Sequence, residues 1–477
     1  MNIRNHMPKS RAKIAIFVSF ALCLLYWGYL FKTARMEIIF DAISYENSGQ
    51  LLYKQGWLEY FRTGPNREPL YPFLISISMR LADVFLVPYQ SIQIFLQLII
   101  LFITQLLTLN ILKKLKVSSL IEVLTILYIG FSPALVNSAF SLFSEIATYP
   151  FVLLIILTGV RSWSLLLTGS NMSRCIRSGF LLGILFILAT CTKVTFQYIL
   201  LFFLIPYIYL MFDAFLNKNK ERLFKVIIFL VIFSATFFSF LITYKSLNRI
   251  YNGHYTFTDR GPYLLYGNTA KRLQELTPRK ILTCAAYTLG EGLCYSLFDK
   301  KDCDVWNLWR VETLGAFKRQ EADKTYLPAD VDAQIMKSAI SEALKNPLQY
   351  VFITSIESFK IFFWESTRIG CVTYPAWLST IYNMSFFKNF LRLILSALSF
   401  ISIVYVVKYI VSRRKLLISP TGEEQESVRI FFFIMVLMAG FLFIHLFFFL
   451  VTRYIFPIVP LFLICIAVSF QKLVIKK

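Results

Sequence analysis

The sequence predicts an all-α polytopic membrane protein of about ten spans, with outer-face loops and a small, mostly helical extracytoplasmic domain. Three observations predict it. The 477 residues are 57% hydrophobic and only 16% charged, where a soluble domain carries roughly 25%. The apolar residues fall in runs near the ~20 residues that cross the hydrocarbon core of a bilayer. Short basic clusters fall between those runs so that all come out on one side, as the positive-inside rule requires.

Arg4, Lys9, Arg11 and Lys13 precede an apolar stretch from Ile14 to Phe31. No small-residue cleavage site follows, so this stretch reads as a signal anchor that keeps the N-terminus cytoplasmic. Residues 33–91 then form the first outer loop. Further spans are expected at 92–112, 118–137, 146–168, 178–192 (short), 195–213 and 223–244. The clusters Lys113, Lys114 and Lys116, then Arg174 and Arg177, then Lys218, Lys220, Arg222 and Lys225 all come out cytoplasmic. This alternation checks the span count independently of hydropathy.

Hydropathy falls from Lys245 to Tyr350, a polar stretch read as short helices and loops on the outer side. Val351 to Trp364 is apolar, but Glu357, Lys360, Glu365 and Arg368 interrupt the pattern. If it crossed, Arg413, Arg414 and Lys415 would lie outside, so it reads as an interfacial or re-entrant helix. The last spans fit at 387–409, 429–451 and 454–471. The chain thus divides into an N-terminal transmembrane catalytic module (1–244), an extracytoplasmic loop domain (245–386) and C-terminal transmembrane helices (387–477).

The net charge of +22 suits cytoplasmic loops and anionic headgroups; no zinc-finger or RNP signature supports nucleic acid as a partner. Of the eight cysteines, Cys23, Cys191 and Cys465 read as packing residues in apolar spans, and Cys175 falls in a cytoplasmic loop. Cys284, Cys294, Cys303 and Cys371 lie on the outer side, where one pair among them can form. His6, His254 and His445 are not spaced for a metal, and no Walker loop, G-x-S-x-G or H-E-x-x-H is present. No metal or other cofactor is assigned.

The polar stretch from Asp41 to Pro72 stands out in this apolar chain. It holds Asp41, Tyr45, Arg67, Glu68 and Tyr71, with a helix expected from Asp41 to Lys54. Other polar groups on the same side come from short turns: Ser144 and Glu145, Lys193, and Arg453 with Tyr454. Each has a plain structural reading. Asp41 caps a helix, Glu68 is a solvated loop acid, Glu145 is favoured by a helix dipole, Lys193 snorkels, and Arg453 anchors at the interface. Together they offer cations for a phosphate and a carboxylate for deprotonation.

Asp41-Ala-x-x-Tyr45, then Arg67-Glu68-Pro69-Leu70-Tyr71-Pro72, resembles the first outer loop of GT-C membrane glycosyltransferases. The nearest groups are the ArnT/protein-mannosyltransferase-like and RgtA-to-D-like families. The Ser144-Glu145 turn, Gly183…Thr192-Lys193, Asn346-Pro347-x-x-Tyr350 and Thr452-Arg453-Tyr454-x-x-Pro457-x-x-Pro460 continue the resemblance in order along the chain. The chain departs from it where Ala42 replaces a second acid after Asp41, and where Arg67 precedes the Glu-Pro in place of a following lysine.

The resemblance implies a GT-C-type helix bundle that takes a polyprenyl-phosphate sugar donor within the membrane lipid. The sugar would pass to a glycan, lipid or protein acceptor on the outer face of a bacterial cytoplasmic membrane. It implies Asp41 as the base and Glu68 as the second catalytic carboxylate, positioning acceptor or sugar. Tyr45, Arg67, Tyr71, Glu145, Lys193, Arg453 and Tyr454 would bind substrate. The alternative is a transporter or flippase of lipid-linked sugars, which would place essential polar residues inside the spans.

Overall fold

The computed structural model describes residues 8–64, 66–168, 171–365, 371–419, 422–447 and 452–475. Among them nine helices are long and apolar enough to cross a membrane, and a bent helix pair makes a tenth if the two count as one span. Each overlaps an expected span, so the chain is an integral, multi-pass, all-α membrane protein. Among the described residues the only strands are Arg35–Met36 and Val372–Thr373, paired antiparallel.

Two expected spans need correction. The span at 118–137 is not one helix but Ser119–Phe131 and Pro133–Phe140, bent by 46°. Pro133 has no N–H to continue the first helix and is well suited to start the second. The freed helix start is capped: Ser132 Oγ accepts from the Leu135 amide at 3.3 Å, and Glu365 accepts from the Ala134 amide at 3.0 Å. The span at 178–192 is not short. Asn171 accepts from the Ser173 amide at 3.0 Å and starts a 21-residue helix, Met172–Thr192, which buries Cys175 within it. Gly179 and Gly183 let this helix approach Lys220–Asn252, where an added Cβ would lie 3.0 Å from the Phe229 carbonyl and 2.8 Å from Thr236. That helix has 33 residues, about 50 Å at 1.5 Å per residue, and so extends well past a bilayer core.

One end of the bundle gathers the basic clusters with the 413–429 segment. Lys114 pairs with Glu426 at 2.7 Å, Arg413 with Glu424 at 2.6 Å, and Lys116 with Glu423. Trp163 donates to the Leu417 carbonyl at 2.9 Å, and Arg429 donates to Ser164 at 2.9 Å. The opposite end gathers Asp41, Glu145, Lys193 and Arg453.

The polar stretch after Asn252 is helical and packs on that second end. The helices Arg260–Arg272 and Leu308–Thr325 cross closely because Gly267 and Gly315 leave no side chain between them. Cys294 and Cys303 form a disulfide; Cys284 is buried and Cys371 half-buried. The helix Pro347–Ser358 has 12 residues, fewer than a crossing needs. It turns Leu348 and Val351 outward and buries Tyr350, Ile353 and Glu357. Arg368 lies outside the described residues.

Candidate functional site

The first loop is built to present Asp41. Phe40, immediately before it, has φ 53° and ψ −126°, a backbone state that a bulky residue occupies only under strain of about 1–3 kcal/mol. The turn there starts the helix Asp41–Lys54, whose first residue is Asp41, as the sequence reading expects. Three guanidiniums meet its carboxylate. Arg67 donates to Oδ1 at 2.7 Å, Arg260 donates to Oδ1 at 3.0 Å, and Arg453 donates to Oδ2. Burial pushes the Asp41 carboxyl up, but the charges of Arg453, Arg67 and Arg260 outweigh it and hold the group well below the usual carboxylate range.

Each partner is itself fixed. Arg67 lies 4.5 Å over the Tyr45 ring and donates to Ser44 Oγ at 2.9 Å, while its carbonyl accepts from Tyr60 at 2.7 Å. Tyr45 shares a 2.9 Å hydrogen bond with Ser144, the residue that starts the helix Glu145–Leu167. Glu145 accepts from Lys193 at 3.0 Å and pairs with Arg453 Nε at 3.2 Å, so Arg453 bridges Asp41 and Glu145. Its second oxygen, Oε2, is buried with no protein partner among the described residues. Burial works against the Lys193 charge, but Glu145, Tyr45 and Glu68 raise its ammonium above the usual range. Lys193 lies 5.2 Å over the Tyr454 ring, and Arg453 lies 4.2 Å over Phe143. Glu68 accepts from the Val194 amide at 3.1 Å, tying the first loop to the Lys193 turn.

Two cavities meet at this cluster. The first, about 350 Å³, is lined by Tyr45, Arg67, Glu68, Lys193 and Tyr454 among others; we call it the Lys193 cavity. The second, about 650 Å³, runs past Glu145 and Glu312 to Trp309, Lys360, Lys388 and Arg392; we call it the Trp309 cavity. Asp41, Arg260 and Arg453 line both. Five basic side chains line the Lys193 cavity against three acidic ones, Asp41, Glu68 and Asp332. The Trp309 cavity has five of each.

Eight of the nine site residues inferred from sequence therefore line one cavity or the other. Tyr71 does not reach either. It is fully buried, edge-on to Tyr45 with ring centres 5.2 Å apart, and donates to Gln97 at 2.5 Å, so it supports Tyr45 from beneath. Sequence reasoning missed Arg260 and its 3.3 Å partner Glu312. Arg260 sits beside the Gly261-Pro262 break, a signal that a turn presents it; Glu312 carries no local signal. Among the described residues, no three His, Cys, Asp or Glu side chains converge as metal ligands. No protein-family model matches the chain, and neither does any curated protein.

Proposed function

We propose that the chain is a GT-C-type membrane glycosyltransferase that transfers a sugar from a polyprenyl-phosphate donor to an acceptor hydroxyl. The observation that carries this reading is the pair of cavities joined at Asp41, Arg260 and Arg453. A two-substrate displacement needs two approaches to one centre, with charge arranged along them. We assign the donor phosphate to the Lys193 cavity, where cations outnumber acids. The charge-balanced Trp309 cavity, with its hydroxyls, carboxylates and aromatic rings, takes the acceptor.

The acceptor oxygen attacks the anomeric carbon as the carbon–oxygen bond to phosphate breaks, inverting that centre. The departing lipid phosphate gains one negative charge, which Arg67, Arg260, Arg453 and Lys193 stabilise where it develops. The acceptor proton passes to Asp41. With three guanidiniums on it, Asp41 is too weak a base; a bound phosphate competes for those guanidiniums and returns basicity to Asp41 when the donor is present. Glu68 holds the Lys193 turn through Val194, and Glu145 orients Lys193 and Arg453. A transporter would place these groups at mid-bilayer, whereas Asp41, Glu145, Lys193 and Arg453 all lie at helix ends or in turns.

Reconstitution with a panel of polyprenyl-phosphate sugars tests the reading, with donor consumption as the readout. The parent chain consumes at least one donor, and Asp41→Asn inserts normally yet is slower by about 10²–10⁴-fold. Full activity in that variant would remove Asp41 as the base.

A further inference from the structure

The far end of the Trp309 cavity contains groups that the transfer chemistry does not use. We infer that the acceptor is an anionic carbohydrate, with a sugar ring against Trp309 and a phosphate or carboxylate group against Arg392 and Lys388. This rests on the reading of the Trp309 cavity as the acceptor side.

Trp309 is 68% exposed, although it lines a cavity wall. Glu312 lies three residues on, on the same face of the helix Leu308–Thr325, and pairs with Arg260 at 3.3 Å. Arg260 in turn binds Asp41 at 3.0 Å. One helix face thus leads from an open indole to a carboxylate and on to the reacting centre. The Trp309-to-Glu312 spacing, about 5–6 Å between Cβ atoms, is near the width of one sugar ring. Sugar rings present C–H faces to aromatic rings and hydroxyls to carboxylates, so this face suits a saccharide.

The same cavity is lined by three further basic side chains, along with the acids Glu291 and Glu365. Lys388 and Arg392 lie one turn apart on the helix Ser385–Ser412, and Lys360 reaches the same space from the turn Phe359–Phe362. Arg392 packs 4.9 Å over the Phe363 ring, and its Nε is buried without a hydrogen-bond acceptor among the described residues. Burial works against its charge, and no carboxylate among the described residues opposes that. A half-buried guanidinium without a counter-ion is unfavourable unless a ligand supplies the anion, and this one faces a cavity of about 650 Å³. Guanidinium next to ammonium fits a phosphate or carboxylate oxygen pair.

The test uses the intact chain in phosphatidylcholine nanodiscs without donor, titrated calorimetrically with glucose, inorganic phosphate and glucose 6-phosphate. Glucose 6-phosphate binds at least about tenfold tighter than either simpler probe, the gain from joining two subsites. Arg392→Ala lowers it to the level of glucose and Arg392→Lys retains part of the preference. Trp309→Ala lowers it to the level of inorganic phosphate. Equal affinity for glucose and glucose 6-phosphate overturns the proposal, as does an unchanged preference in Arg392→Ala. Inorganic phosphate binding as tightly as glucose 6-phosphate reduces the site to a simple anion site and overturns the carbohydrate assignment. Failure here is distinct from failure of the transferase reading. Saccharide binding without consumption of any donor sinks the transferase and leaves this site. Transfer to an anionic acceptor that is undiminished in Arg392→Ala sinks this site and leaves the transferase.

Discussion

The molecule contains two clusters of buried ions with similar composition and opposite designs. In one, Lys271 and Arg272 clamp Glu357 at 2.5 and 2.7 Å, and the three side chains are 0%, 1% and 6% exposed. Arg272 also donates to Tyr350 at 3.1 Å and to the Leu446 carbonyl, locking the polar helical region after Asn252 onto a spanning helix. None of the three lines either cavity. In the other, Asp41, Arg260 and Arg453 are 18%, 26% and 27% exposed and face two cavities. The closed cluster has geometry that only serves to hold; the open one keeps its charges where an incoming phosphate can compete for them. Burial, more than charge count, separates a fastener from a site.

That contrast can be broken by swapping the readouts. The largest expected effect is on activity at the open cluster: Asp41→Asn lowers transfer by about 10²–10⁴-fold while shifting the thermal midpoint little, because cavity water reaches the freed guanidiniums. At the closed cluster the effect is on stability. Glu357→Gln leaves Lys271 and Arg272 buried without a counter-charge and destabilises by about 3–5 kcal/mol, read as a fall in thermal midpoint in nanodiscs. A midpoint unchanged in Glu357→Gln would erase the distinction. Burial initially raises the Glu357 carboxyl, but Lys271, Arg272 and Lys360 bring it down to about 2. Its contribution is therefore present above its unfolded value of about 4.5 and lost as pH falls through about 2.

Asp332 sharpens the comparison from the other side. It lines the Lys193 cavity with both carboxylate oxygens buried and without hydrogen bonds among the described residues. Burial raises its carboxyl to about 6, with Arg319 opposing and Asp259 and Asp323 reinforcing. A raised carboxyl favours the folded state below its unfolded value near 3.9, and that stability is lost as pH rises through about 6. The loss is about 3 kcal/mol for a shift of about two units. Asp332→Asn is expected to abolish this decline and to melt higher than the parent at pH 8; a parent midpoint flat between pH 4 and 7 would refute it.

Two smaller effects bracket the scale. Gly267→Ala drives a methyl into the Val311 carbonyl, parting the helices that carry Arg260 and Glu312, at about 1–3 kcal/mol and with a matching loss of donor consumption. At the far end of the bundle, Lys116→Ala removes an ion pair whose side chains are 62% and 78% exposed, and the thermal midpoint should move by less than about 1 kcal/mol in stability.

The sequence by itself determined the class, the spans and the first residue of the Asp41 helix. Hydropathy, basic flanks and helix starts are local properties, written in neighbouring residues. It also pointed to eight residues that line the two cavities, because polar groups at the ends of apolar spans are conspicuous. It did not disclose the break at Pro133 as a bend, the early start at Asn171, the burial of Tyr71, or the roles of Arg260 and Glu312. Those depend on which chain segments meet. Asp41 and Arg260 are 219 residues apart, and Asp41 and Arg453 are 412 apart. Nothing in the neighbourhood of any one of them encodes that distance. Only the packing of the helices brings three guanidiniums to one carboxylate and opens a cavity on either side of it, because Coulomb attraction and burial act through space and not along the chain.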